Sequence, residues 1–305
     1  MKAVSVDVEP EGTRSGTVAI VGRPNTGKST LLNALIGAKL ASVARKPQTT
    51  RHNIAGILSC GDSQIVFVDT PGLHLHGKRL LNRMLNDSAW AALQQVDLAL
   101  LIVDRDHWSE EDELVLNRVR EAARPCILCI NKIDGFRRER LLPIMARLGE
   151  KHDFEEIIPV SAIKGENLEA LLREVRRRMP AAPFLFPEDQ VTSRSQRFIA
   201  AELIREQLIR NLHQEVPHSL YVEIEAYRDS EDLTEIAAVI WVDRASQRAI
   251  VIGHQGGTLK RVGAQARRAL ERSLGRKVFL KLWVKDRADW QDNEAILASF
   301  DSEVI

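Results

Sequence analysis

Cysteine is scarce in this 305-residue chain: Cys60, Cys126 and Cys129 are all there are, and three thiols cannot all pair. A disulfide framework is excluded, and because each cysteine lies in a run that reads as a buried strand, all three are expected to be reduced core residues. Cys126 and Cys129 form a CxxC, but the surrounding PCILCIN is apolar and brings neither a second CxxC nor a His pair, which sets metal and redox chemistry aside. Long apolar runs are missing too. The run Leu98 to Val103 has six residues, against the roughly 20 that a bilayer requires, so no membrane-spanning segment is expected. The stretch MKAVSVDVEPEGTRSG has acidic residues and no apolar centre. Residues 1–15 are therefore expected to form a polar tail rather than a targeting peptide, and the protein to be cytoplasmic. Internal repeats and low-complexity tracts are likewise lacking.

What is present is ordinary in amount and uneven in placement. Hydrophobic residues make up 44% and charged residues 28%, enough apolar material for two cores, and the length exceeds that of a usual single core. The net charge of +1 conceals an asymmetry: between Gly257 and Arg287 ten Lys or Arg stand against Glu271 and Asp286, a local +8, so the remainder sums to −7. The C-terminal third is a basic device.

Short apolar runs alternate with amphipathic stretches from Thr17 to Met179, the pattern of a doubly wound α/β domain with a parallel sheet covered on both faces. Strands are expected at 17–22, 54–60, 64–69, 98–104, 126–131 and 156–162, and helices starting near Lys28, Arg79, Ser109, Phe136 and Asn167, with Ser109 and Asp112 as a capping box. PAAPFLFPEDQ then breaks the rhythm with three prolines. The expected organisation is the doubly wound α/β domain at 16–180, a linker at 181–195, an α+β module at 196–290 and a C-terminal tail at 291–305. In the module, 196–212 reads as a helix, SLYVEIEAY and IAAVIWVD as strands, GTLKRVGAQARRALERSL as a basic helix and VFLKLWV as a last strand.

After the first strand come Gly22, Arg23, Pro24, Asn25, Thr26, Gly27, Lys28 and Ser29, with Thr30 next, which fits GxxxxGKS/T and runs straight into a helix. Glycine lets backbone amides turn around a phosphate, the helix start adds its positive end, Lys28 reaches the outer phosphates and Ser29 is a Mg2+ ligand. NKID follows the fifth strand and selects guanine: Asp134 accepts from both N1 and N2 of that base, where adenine offers an acceptor and a C–H. Asn131 and Lys132 belong to the same motif, and Ser161 and Ala162 of VSA offer a turn and a backbone amide to guanine O6. A P-loop ATPase or kinase would require NKID to be accidental.

Asp69, Thr70, Pro71 and Gly72 form DTPG, with Asp69 placed to hold Mg2+ and the Gly72 amide to sense the γ-phosphate, so that loss of this phosphate releases the loop. The polar segment ARKPQTTRH supplies a threonine, Thr50 in preference to Thr49, to complete the Mg2+ shell while the triphosphate is bound. Leu73 stands where Ras-like proteins carry a water-orienting glutamine, so unaided hydrolysis is expected to be slow. Asn25 resembles the asparagine that coordinates K+ in some GTPases, a fixed positive charge in place of an arginine finger; a turn-forming role accounts for it equally. Asn25, Lys28, Thr50 and Gly72 are the residues expected to serve catalysis. His74 and His76 are not assigned a role.

The basic module contains Gly253, His254, Gln255 and Gly256, a GxxG followed by Gly257 and a helix carrying Lys260, Arg261, Arg267 and Arg268. Such a loop lets a nucleic-acid backbone approach while a groove reads about four unpaired bases, the KH scheme.

GRPNTGKSTLLNALIG, KPQTTRH, DTPGLH, NKID and VSA, followed by VIGHQGGTLKRVGAQAR and KLWVK, resemble the Era family of bacterial GTPases along nearly the whole chain. The resemblance implies a Ras-like G domain joined to a type II KH domain, with GTP/GDP and Mg2+ as ligands. It also implies binding to the 3′ end of 16S rRNA during assembly of the small ribosomal subunit, and peripheral association with the cytoplasmic face of the inner membrane. The middle of GxxG is usually basic in KH domains; here it is His254 and Gln255. A signalling or membrane-surface GTPase whose basic end meets anionic lipid or a protein is the competing reading, and the sequence shows neither a lipidation signal nor a long amphipathic helix with exposed aromatics to support it.

Overall fold

The computed structural model describes residues 12–43, 53–72, 80–104, 108–135, 137–212, 220–288 and 290. The chain divides into two units: Met1–Ala38, Ala55–Asp69 and Trp90–Ser193 form the first, and Lys39–Ile54, Thr70–Ala89 and Arg194–Ile305 the second.

The first unit is built on a six-stranded sheet with strands β1 (Arg14–Val21), β2 (Ile54–Cys60), β3 (Ser63–Asp69), β4 (Leu98–Asp104), β5 (Cys126–Asn131) and β6 (Glu156–Pro159), in the order β2-β3-β1-β4-β5-β6. β3, β1, β4, β5 and β6 run parallel. Helices α1 (Lys28–Ile36), α2 (Leu80–Gln94), α3 (Glu110–Ala122), α4 (Leu141–Gly149) and α5 (Leu168–Arg178) alternate with them in the chain. Central strands of such a sheet are covered on both faces and so read as unbroken apolar runs; Leu98 to Val103 are each fully buried. α3 starts at the expected capping box: the Ser109 hydroxyl accepts from the Asp112 amide, and the Asp112 carboxylate accepts from the Ser109 amide at 2.9 Å.

Several local expectations are corrected. The helix expected near Phe136 begins at Leu141, after two 3-10 turns at Ile133–Gly135 and Arg138–Arg140; Pro143, which lacks an N–H and fits only a first helical turn, fixes that start. β6 stops at Pro159, leaving Val160 to Ala162 as loop. Cys126 and Cys129 are buried as expected, and burial pushes the Cys126 thiol up to about 12 and that of Cys129 higher still, but Cys60 ends its strand exposed. The proline-rich stretch is fastened along the sheet rather than loose. The fully buried Gln64 donates to the Phe186 carbonyl at 2.8 Å and accepts from the Leu185 and Phe186 amides, the Ile57 amide donates to Val191, and the Thr192 hydroxyl donates to Ala55.

The second unit contains α6 (Gln196–Asn211), β7 (Leu220–Asp229), β8 (Leu233–Val242), α7 (Ala245–Ile252), α8 (Gly257–Leu274) and β9 (Lys277–Asp286), with sheet order β7-β8-β9. β7 is antiparallel and β9 parallel to β8. One face of this sheet packs on α6 and α8 through Leu203, Ile204, Leu208, Ile236, Ile240, Val262, Ala266 and Leu270, among others. Burial of each large side chain there stabilises by about 1.5–3 kcal/mol. The run preceding GxxG, QRAIVI, to which no element was assigned, lies in helix α7. Its start is capped by Gln247, whose carbonyl oxygen accepts from the Asp243 and Arg244 amides.

Candidate nucleotide and nucleic-acid sites

The carboxyl ends of the parallel strands in the first unit bring Gly22, Asp69, Asp104, Asn131 and Ser161 to one edge of the sheet, where an open α/β fold holds its ligands. The loop after β1 turns through Asn25, whose φ of 63° is left-handed, a conformation asparagine tolerates. Its next turn is at Gly27, with φ 104°; a Cβ there would lie 2.3 Å from Asn131 Nδ2. That close approach is used, since Asn131 Nδ2 donates to the Thr26 carbonyl at 2.8 Å while its Oδ1 accepts from the Lys132 amide at 2.8 Å and the Ala162 amide at 3.0 Å. One buried amide thus ties the loop after β1 to the loops after β5 and β6.

Lys28 is 6% exposed, and its ammonium donates to the carbonyls of Gly22 and Arg23, each at 2.9 Å. Burial pushes this ammonium down to about 8, with the Asp69 carboxylate opposing. Ser29 Oγ donates to Asp69 Oδ2 at 2.7 Å, and Asp69 is fully buried. A hydroxyl and a carboxylate oxygen meeting beside this loop are hard oxygen donors that could hold Mg2+; no group of three or more His, Cys, Asp or Glu suited to a metal occurs among the described residues. Thr30 lies in the first turn of α1. Arg23 Nε is paired at 3.1 Å with Asp112, the capping carboxylate of α3.

Between the loops after β5 and β6, Asp134 Oδ1 accepts from Ser161 Oγ at 2.6 Å, and Ser161 Oγ accepts from the Lys164 amide at 3.2 Å. Lys132 Nζ donates to the Asn25 carbonyl at 2.7 Å and pairs with Asp104 at 2.6 Å. Asp104 was not among the predicted site residues; it is signalled only by an aspartate ending an apolar strand, as Asp69 also does.

Thr70 and Pro71 continue from Asp69 as buried residues, and Gly72 is the last described residue before 80. Thr49, Thr50, Leu73, His74 and His76 lie outside the described residues. Within the second unit, the chain leading toward Thr50 is tied to α6. Ser42 Oγ donates to the carbonyl and carboxylate of Glu202 at 2.8 and 2.9 Å, the Val43 amide donates to Glu206 at 3.1 Å, and Lys39 pairs with Glu206 at 2.7 Å. Glu202 and Glu206 are almost wholly buried. Their only sequence signal is an excess of charge on a helix that must also pack.

The GxxG loop lies between α7 and α8. Gly253 has φ 73°, and a Cβ on it would meet Thr258 Oγ1 at 2.3 Å. Gln255 is left-handed at φ 48° and Gly256 at φ 74°. His254, Gln255, Gly257, Lys260, Arg261, Arg267 and Arg268 are all exposed. Half-buried Leu259, Leu280, Leu282 and Val284 pack beside the core as apolar surface, a contribution that the charge pattern of α8 did not reveal and the alternation of β9 could have.

Compared with known proteins, the profile described as a 50S ribosome-binding GTPase matches residues 17–132, and that of the KH domain matches residues 215–291. The GTPase Era of Stenotrophomonas maltophilia strain K279a is 49% identical over 289 residues, covering 94% of this chain and 97% of its own. That of Xylella fastidiosa strain M12 is 47% identical over 291 residues, covering 95% and 98%. Two solved structures each match with a TM-score of 0.91 at 36% identity, covering 96% of this chain and 100% of theirs: an Aquifex aeolicus Era variant bound to GDP.AlF4-, and Era in complex with MgGDPNP and nucleotides 1506–1542 of 16S ribosomal RNA. With close to half of all residues identical along almost the full length of both relatives, this chain belongs to the Era family of GTPases.

Proposed function

We propose that this protein is a GTP-hydrolysing switch that binds the 3′ end of 16S rRNA through its KH domain and assists assembly of the small ribosomal subunit. One observation carries the reading: the Era structure holding both MgGDPNP and nucleotides 1506–1542 of 16S ribosomal RNA aligns with 96% of this chain. The profile named for the large subunit covers only residues 17–132 and none of the basic module.

In this reading the loop amides and Lys28 hold the outer phosphates, and Asp134 with the Ala162 amide reads guanine. Ser29, Asp69 and Thr50 would hold Mg2+, which when bound neutralises charge on the phosphates. Gly72 senses the γ-phosphate. With Leu73 in the glutamine position, intrinsic turnover is slow, and Asn25 recruits K+ as the compensating charge; equal turnover in Na+ and K+ overturns that assignment. The ties from Lys39, Ser42 and Val43 to Glu202 and Glu206 give the nucleotide-sensing segment a hold on α6, so that nucleotide state governs RNA affinity. The protein works in the cytoplasm, and peripheral membrane association rests on the family resemblance; no helix among the described residues is long and apolar enough to cross a membrane.

The test is binding of labelled single-stranded RNA from the 16S 3′ end with GTP analogue, GDP or no nucleotide, beside a scrambled RNA and anionic vesicles. Sequence-dependent binding strengthened by the analogue is expected. Equal binding of both RNAs, or preference for vesicles, overturns the reading.

A further inference from the structure

The loop after β1 carries two cations, and they are held differently. Lys28 is bound by the loop's own carbonyls, whereas Arg23 reaches out of the loop to α3, where its Nε donates to Asp112 Oδ2 at 3.1 Å. Asp112 is fully buried, and the Arg23 side chain is 18% exposed. Taking such a pair out of water costs about as much as the attraction returns, and an apolar pair of similar volume would hold the fold as well or better. The pair therefore calls for a reason other than stability.

Its geometry supplies one. Besides Arg23, Asp112 Oδ2 accepts from the Ser109 hydroxyl at 2.7 Å and from the Ser109 amide at 2.9 Å, so the place of this oxygen is set by the start of α3. That helix is anchored in turn by Val115, Leu116 and Val119, each fully buried. Among the described residues the other oxygen of Asp112 is buried with no hydrogen-bond partner. An arginine recruited merely to satisfy a bare acceptor would take that oxygen; Arg23 shares the one that the cap already fixes. A side chain bound to a group locked by packing and hydrogen bonds is itself held in place, and so is the backbone that bears it. Here that backbone includes the Arg23 carbonyl, which accepts from Lys28 Nζ at 2.9 Å and from Thr26 Oγ1 at 3.1 Å. Lys132 Nζ donates to the Asn25 carbonyl at 2.7 Å. The loop is thus braced at Asn25 from the end of β5 and at Arg23 from α3.

We propose that Arg23 is a positioning residue for GTP hydrolysis: held by Asp112, it fixes the carbonyl that keeps Lys28 aimed at the outer phosphates. Its action passes through Lys28 and not through contact with the nucleotide. This rests on the nucleotide-site reading above, in which Lys28 holds those phosphates. A cation aimed at the transferred phosphoryl group acts most strongly where charge develops in the transition state, so the consequence belongs to turnover more than to affinity for GDP.

The experiment measures GTP turnover and GDP affinity in the full chain with Mg2+ present. Arg23→Met keeps the stem and removes the guanidinium, while Asp112 retains its Ser109 donors and the positive end of α3. Its kcat is expected to fall about ten- to hundred-fold, with GDP affinity within about three-fold of the wild type. Arg23→Lys, whose ammonium can still meet the carboxylate, is expected to recover kcat to within about five-fold of the wild type. Asp112→Asn keeps an acceptor for the cap and removes the charge that holds Arg23. Combined with Arg23→Met it is expected to cost no more than Arg23→Met alone, because residues that act through one contact are not additive. Additive losses overturn the proposal. So does faster turnover in Asp112→Asn, which would make Asp112 a brake that withholds Arg23 from the phosphates. Unchanged kcat in Arg23→Met with a lowered melting temperature would leave the pair merely structural, and an equal loss of turnover and GDP affinity would mark collapse of the whole loop; either result overturns the assignment. Should Asp112→Asn fail to fold, since it leaves a buried cation unpaired, the two Arg23 variants decide alone. If the wild type binds no guanine nucleotide, the nucleotide-site reading itself falls and this one with it.

Discussion

Gly27 and Gly256 stand at the same place in two different loops, each left-handed and each immediately before a helix, α1 or α8. Behind Gly27 lie Lys28, Asp69 and Asn131, all buried and each held by a hydrogen bond no longer than 3.0 Å to Gly22, Ser29 or Thr26. Around Gly256 the polar side chains His254, Gln255, Lys260 and Arg261 are exposed. The first loop has its buried polar groups already hydrogen-bonded to protein; the second offers a close backbone approach and a field of charge. The same local geometry therefore stands in a buried, hydrogen-bonded setting in one unit and in an exposed, basic one in the other.

The largest effect is expected where base selection, assigned to the loop after β5 that Asn131 ties to Gly27's loop, is inverted. On the proposed reading Asp134→Asn replaces the acceptor for guanine N1 and N2 with an amide; it also changes the partner of Ser161 Oγ. GTP affinity should fall by about two to four orders of magnitude while xanthosine triphosphate, which carries a carbonyl at C2, gains; competition against a fluorescent nucleotide measures both. Unchanged base preference would place guanine selection elsewhere than in NKID.

A smaller effect tests whether the two sites communicate. Glu206→Ala removes the acceptor of the Val43 amide and the partner of Lys39, so the enhancement of RNA binding by GTP analogue over GDP should shrink by about five-fold, a coupling energy near 1 kcal/mol. RNA affinity with GDP should change little. If α6 is merely structural, the variant will lower thermal stability and leave the ratio intact. The comparison of salt dependence is gentler still: replacing Lys260 and Arg261 by Gln should reduce the slope of log affinity for RNA against log salt by about 1.4, near 0.7 for each charge, whereas nucleotide affinity in the same series should stay within about two-fold.

The contrast between the loops also explains what the sequence disclosed. GRPNTGKS, DTPG, NKID and VSA are contiguous because each wraps one part of one ligand from the end of one strand, and the parallel sheet that aligns those ends is visible as alternating apolar runs. The partners that hold these motifs in place come from far along the chain. Lys132 with Asp104, Arg23 with Asp112 and Gln64 with Phe186 have no local pattern, since nothing in spacing distinguishes an aspartate that ends a strand beside a lysine from one in water. Helix α7 was hidden for another reason: only Val251 of its eight residues is buried, so it has no apolar period to read and is defined by the Gln247 cap. Glu202 and Glu206 look like the solvated side of a helix and are instead buried.

The finest distinction between the loops lies in protons. Burial holds the Lys28 ammonium down to about 8, against 10.5 in an unfolded chain. Between those values the unfolded chain carries a proton that the folded, nucleotide-free protein does not, so stability rises with pH through this window, and the full cost of burying the charge is present below about 8. Bound phosphates place negative charge beside the ammonium and raise its pKa again. Nucleotide binding at pH 8 should then take up about half a proton, and affinity should decline as pH climbs from about 7.5 to 9.5. Calorimetry in two buffers of different ionisation enthalpy reads the uptake directly. Lys28→Arg, whose guanidinium keeps its proton throughout this range, should abolish the uptake even where it weakens binding. If uptake persists in that variant, the titrating group is another one, and the burial of Lys28 is offset by Asp69 well enough that the empty loop already holds a full charge.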